Sequence, residues 1–175
     1  MNIVNMVRSD GHTPLYHVSD NELTVAITSL SIGGAERIVL DWAMRIYPRW
    51  RVHLIVLYDR KSEWPVPPHV RITRLHHKDI VAQLEELGAE IAQKQIPICV
   101  CHLLKKVWRD ALGSSGARVV PVLHNAKDGW EEGVPSFIGL EHLVAVSASC
   151  ANDLRENGWE GPISVVRHIP PRWNF

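Results

Sequence analysis

Apolar and polar positions change their period repeatedly along this chain. Residues 23–30 (LTVAITSL) form a short apolar run rich in β-branched side chains, the pattern of a strand buried on both faces. Residues 31–34 (SIGG) then make a turn. From Ala35 the apolar positions are Ile38, Val39, Trp42, Ala43 and Ile46, one face of a helix that Pro48 stops. That spacing places Trp42 in the core and Glu36, Arg37, Asp41 and Arg45 mostly outside. Residues 52–58 predict a second strand, and the proline-bearing stretch 59–69 a loop. Residues 70–75 alternate as a third strand. A helix starting at Asp79 turns Ile80, Leu84, Leu87 and Ile91 inward.

The second half repeats the scheme. Strands are predicted over 96–101, 118–123, 142–146 and 163–166. Helices are predicted over 103–112, ending at Gly113, and from a Ser147 or Ser149 cap to Asn157 with Gly158 beyond it. Residues 127–139 read as a loop with room for a short helix. Strands alternating with helices imply an α/β fold: a Rossmann-like three-layer sandwich around a mainly parallel sheet, in one domain. The expected limits are an irregular arm over 1–22, the domain over 23–168, and a tail or the start of an interdomain linker over 169–175. In such sheets ligands lie beyond the carboxyl ends of the strands. One rim is therefore expected to gather residues 30–34, His102, residues 124–130 and Ser147.

Composition narrows the classes. Of 175 residues, 46% are hydrophobic and 22% charged, as in a soluble globular chain, and Lys plus Arg balance Asp plus Glu at 19 each. A neutral chain is a poor match for nucleic acid, whose phosphates call for a basic surface, so no nucleic-acid partner is expected. No apolar run approaches the length of a membrane span, and residues 1–20 lack the basic start and apolar core of a signal peptide. A cytoplasmic location follows, with peripheral contact at the inner face of a membrane left open. The Cys99-x-Cys101 pair beside His102 has no second ligand cluster at zinc spacing, so packing is the expected role of both thiols and no metal is expected.

The chemistry concentrates at strand ends. Gly33-Gly34 allow a sharp turn and a close backbone approach, and the helix behind them offers free N–H groups to a phosphate or carboxylate. The same pair also serves a plain strand-to-helix turn. Neither Gly-x-Gly-x-x-Gly nor a P-loop occurs, which argues against a dinucleotide enzyme such as a reductase. His124 ends the run Val119-Val120-Pro121-Val122-Leu123, where an imidazole can serve a sugar hydroxyl or phosphate, or simply bond to loop backbone. His102 holds the same place after the preceding strand. Asp128 and Trp130 combine a carboxylate with an aromatic face, a pairing that suits carbohydrate and equally suits a solvated loop. His76-His77 and Lys105-Lys106 read as solvated surface.

These features resemble a known family. Residues 24–43 (TVAITSLSIGGAERIVLDWA) are similar to the opening of the group 1, or family 4, retaining glycosyltransferases of GT-B fold, which begin with a strand, a Gly-Gly-Ala/Val-Glu turn and a helix. Ile98-Cys-Val-Cys-His102 and Val120-Pro-Val-Leu-His124-Asn resemble that family's strands ending in His. Leu143-Val-Ala-Val-Ser147, followed by Asp153-Leu154 and Asn157-Gly158, resembles its Val-Ser…Leu…Gly helix. The resemblance covers about residues 23–168.

It implies the N-terminal, acceptor-binding half of a nucleotide-sugar-dependent enzyme that builds a cell-surface glycan or glycolipid. His124 would approach the transferred sugar as the catalytic candidate. Gly33, Gly34, Glu36, Arg37, His102, Asp128, Trp130 and Ser147 would contact substrate. The partners implied are a nucleotide-sugar donor, held by a C-terminal domain not in this chain, and a glycan or lipid-linked acceptor. No cofactor is implied, and no Asp-x-Asp metal motif occurs. The departure lies at the linker, where the family's Asn-Gly-Val/Ile-Asp gives way to Arg167-His168-Ile169-Pro170-Pro171. The isolated 175 residues are expected to be inactive. The alternative is a non-catalytic Rossmann-like module that binds a nucleotide or a protein partner.

Overall fold

The structure, a computed structural model, describes residues 21–125 and 133–167. Among them run, in chain order, β1 (Glu22–Ile27), α1 (Gly34–Ile46), β2 (Arg51–Val56), β3 (Arg71–Arg74), α2 (Ile80–Gln93), β4 (Ile98–His102), α3 (Lys106–Ser114), β5 (Arg118–Leu123), β6 (Leu143–Ala145), α4 (Ala148–Glu156) and β7 (Ile163–Val165). A short 3-10 helix, Val134–Phe137, lies between β5 and β6. All seven strands pair in parallel, in the order β3-β2-β1-β4-β5-β6-β7. The chain is a single Rossmann-like α/β domain.

Side-chain alternation along the strands feeds two layers of helix. Val25, Ile27, Leu54 and Val56 pack against Val39, Leu40 and Ala43 of α1. Ala26, Ile55, Leu57, Cys99 and Cys101 pack on the opposite side, against Leu87 and Ile91 of α2 and Trp108 and Leu112 of α3. A third cluster joins Leu123, Leu143 and Ala145 to Phe137 and to Cys150, Leu154 and Trp159 around α4. Because both faces of β1 and β2 are covered, their sequences read as unbroken apolar runs rather than alternating ones. The two strand cysteines are core residues, and burial pushes the Cys101 thiol well above its ordinary value.

Several boundaries and faces differ from expectation for identifiable reasons. Glu36 and Asp41 are buried at 7% and 3% exposure, not outside. Glu36 lies in the first turn of α1, folded back on the preceding loop, and Asp41 takes the Arg37 guanidinium at 3.4 Å. Trp42 is only half-buried, because its ring borders the sheet's rim rather than the centre. Ile80 stands 46% exposed on the first turn of α2, while Gln83 turns inward and donates to the Leu57 carbonyl at 3.2 Å. Residues 103–105 precede α3 instead of opening it. Leu103 holds φ 58, a left-handed conformation that ends β4 abruptly. Ser147 provides the α4 cap, and Gly158 (φ 93) closes that helix, with Trp159 N–H donating to the Leu154 carbonyl at 3.0 Å.

Candidate functional site at the sheet's switch point

The strand order reverses direction between β1 and β4, and in open α/β sheets a crevice opens there beyond the carboxyl ends. Two chain exits define it. β1 leaves through Thr28, Ser29 and Leu30 towards the Gly33-Gly34 turn, and β4 leaves through His102 and Leu103. A hydrogen bond ties them together: Thr28 Oγ1 donates to the Leu103 carbonyl at 2.5 Å. The left-handed Leu103 turns its carbonyl to that task.

His102 and His124 come together on this rim, from the ends of adjacent strands. His102 Nδ1 lies 2.8 Å from His124 Nε2, and the ring centroids are 5.0 Å apart. That separation is close to the nitrogen–nitrogen distance plus a ring radius at each end, so the rings meet end to end rather than stacked. Trp42 closes over His102 from α1, centroids 5.3 Å apart and planes at 73°. His102 is fully enclosed, whereas His124 is half-buried. Burial, and then the neighbouring His124, hold the His102 imidazole well below its ordinary value, so it is neutral at neutral pH.

The glycine turn is built differently from a simple phosphate cradle. Gly33 is the N-cap of α1 in extended backbone and offers no side-chain cap. Glu36, three residues on, stands at the position from which a capping-box carboxyl reaches back. Its Oε1 accepts from the Ser31 hydroxyl at 3.0 Å, and Ser31 Oγ lies 3.1 Å from Ser29 Oγ. A Cβ on Gly33 would sit 2.4 Å from Glu36 Oε2, whereas a Cβ on Gly34 would meet nothing within 4 Å. The chain's own carboxyl therefore stands beside the helix N-terminus, and the open side of the turn is at Gly34.

The loop between β2 and β3 forms a wall behind the turn. Trp64 donates its backbone N–H to the Leu30 carbonyl at 3.0 Å and its indole N–H to the Gly33 carbonyl at 3.2 Å. The Arg37 guanidinium lies 5.0 Å over the Trp64 ring. Arg74 anchors the same loop through Glu63 and Asp59, at 2.8 and 2.6 Å.

Of the residues singled out from sequence, Gly33, Gly34, Glu36 and Arg37 share one turn, and His102 and His124 form one bonded pair beside it. Ser147 sits at the exit of β6, where its hydroxyl accepts the Cys150 N–H at 3.1 Å. Asp128 and Trp130 lie outside the described residues. Sequence reasoning passed over Thr28, Ser29 and Trp64. The polar pair Thr28-Ser29 directly after a strand was the available signal for two of them, while Trp64 sat in a stretch legible only as a proline-rich loop.

No protein-family model matches the chain, and no curated protein matches it. Solved structures do. One is a sucrose-phosphate synthase from Thermosynechococcus elongatus, at TM-score 0.59 and 12% identity, covering 85% of this chain and 90% of that one. Another is the UDP-GlcNAc 2-epimerase from Methanocaldococcus jannaschii, at TM-score 0.54 and 16% identity, covering 83% of this chain. The chain is similar to both in fold. It spans 45% of the epimerase chain.

Proposed function

We propose that this chain is the acceptor-side half of a nucleotide-sugar-dependent retaining glycosyltransferase, of the group 1 kind that its sequence resembles. The observation that carries the reading is the convergence of Gly33-Gly34, His102 and His124 on the rim beside the β1–β4 switch point. The names of two fold neighbours support it, since one is a sucrose-phosphate synthase and the other a UDP-GlcNAc 2-epimerase. In this reading His124 contacts the transferred sugar. The turn at Gly34 receives acceptor hydroxyls rather than a phosphate, because the Glu36 carboxyl beside it disfavours a second anion.

A rim of this kind makes one wall of a cleft. Transfer requires a second wall to hold the donor's nucleotide and to close around it. The 175 residues alone bind sugar ligands weakly and do not turn over a sugar nucleotide. Calorimetric titration of UDP- and GDP-sugars and of simple glycans tests this. Weak binding that Gly34→Val and His124→Ala each reduce supports the reading. Binding unchanged by both variants, or turnover by the isolated chain, contradicts it.

A further inference from the structure

The histidine pair meets through particular atoms, His102 Nδ1 and His124 Nε2, at 2.8 Å. Two ring nitrogens form a hydrogen bond only when one carries a proton and the other a lone pair. If His124 donates, its proton is on Nε2 and the neutral His102 keeps its own on Nε2. If His102 donates, its proton is on Nδ1 and the neutral His124 carries its proton on Nδ1. The surroundings of His102 choose between these. Its ring is wholly buried, and its Nε2 has no hydrogen-bond partner among the described residues. Trp42 stands against the ring nearly at right angles. A proton on Nε2 would be an orphaned buried N–H, which folded proteins avoid more strictly than an unmet acceptor.

We infer that His102 is a positioning residue for His124: it donates from Nδ1 to His124 Nε2 and so fixes the His124 proton on Nδ1. The consequence for chemistry rests on the transferase reading above. With Nε2 engaged by His102, Nδ1 is the remaining ring nitrogen, and it carries hydrogen. His124 then has no ring lone pair left, and is not a base towards its ligand.

The test uses the whole chain labelled with nitrogen-15 histidine and needs no ligand. Long-range proton–nitrogen spectra at neutral pH distinguish protonated from bare ring nitrogens. Both His102 and His124 are expected as single Nδ1–H tautomers. A proton on His124 Nε2 in the unsubstituted protein overturns the assignment. His102→Phe is expected to leave His124 as a mixture of tautomers, and His102→Asn, whose amide can stand where Nδ1 stood, to restore the single form. A folded His102→Phe chain with an unchanged His124 pattern also overturns it. Should the phenylalanine variant not fold, the unsubstituted spectrum and the asparagine variant decide. Because no sugar is present, failure here leaves the transferase reading intact, and failure of the calorimetric titrations leaves the tautomer result intact.

Discussion

Mild acid should destabilise this fold through His53, a residue far from the glycine turn. His53 lies in β2 with no exposed surface, its Nε2 2.8 Å from Thr73 Oγ1, which in turn donates to Glu90 Oε1 at 3.0 Å. Burial is the largest influence on it. Arg71 and Lys94 also disfavour a charge there, Glu90 and Glu22 favour one, and the net effect lowers its pKa from 6.5 to about 4. The folded chain therefore keeps His53 neutral over a range in which the unfolded chain binds a proton. Stability is full above the unfolded value, declines as pH falls from 6.5 towards 4, and falls no further for this group below that. The whole gap corresponds to about 3 kcal/mol at roughly 1.4 kcal/mol per unit. At about pH 5 the loss from His53 alone is about 2 kcal/mol. With a urea slope of about 2 kcal/mol per molar, that moves the unfolding midpoint by about 1 M. His102 adds a loss of the same sign, because its pKa is also lowered. His53→Gln isolates the first contribution, since a carboxamide can still meet Thr73 and does not titrate. The unsubstituted chain should lose about 2 kcal/mol more than this variant between neutral pH and about pH 5, measured by urea unfolding. Equal losses in the two proteins would refute the argument.

Two further predictions concern the rim's construction. Gly34→Ala should be neutral or stabilising by up to about 1 kcal/mol, since the new methyl meets nothing, whereas Gly33→Ala should displace Glu36 from Ser31 and cost about 1 kcal/mol. Thermal melts of the pair check the contrast, and a Gly33 variant as stable as the Gly34 one would count against the described Glu36 position. Ser147→Ala should cost about 1 kcal/mol through loss of the α4 cap. The same variant should leave sugar binding unchanged if capping is the whole role of Ser147, which calorimetry can check.

Much of the architecture was legible because burial writes itself into composition. β1, β2 and β5 show as apolar runs, and the Leu84, Leu87, Ile91 spacing placed α2 in register even though Ile80 slid outward. What escaped were polar residues held by local geometry. Glu36 and Asp41 look like solvent-facing positions on a helical wheel, yet both are buried. A wheel records only the apolar stripe, not the loop folded against the helix's first turns. The bond that holds Glu36 comes from the Ser31 hydroxyl five residues earlier, outside any helical spacing. The beginning of α3 was misplaced because Leu103-Leu104 look helical, while the carbonyls of both are taken by side chains, Thr28 and Arg109. The rim was expected from the carboxyl ends of the predicted strands, but the direct bond between His102 and His124 depends on the register of β4 against β5. His102 pairs with Val122, two residues before His124, and no single-strand pattern shows that pairing.

The most direct test of the account is a map of backbone amide shifts as simple glycans, and separately UDP-GlcNAc, are added to the nitrogen-15-labelled chain. Changes concentrated at residues 28–34, His102–Leu104 and His124–Asn125 are expected. The opposite edge, formed by the amino ends of the strands at Glu22, Arg51, Arg71 and Ile98, should stay silent. Changes confined to that opposite edge, or none at saturating sugar nucleotide and glycan alike, would contradict a sugar-binding rim.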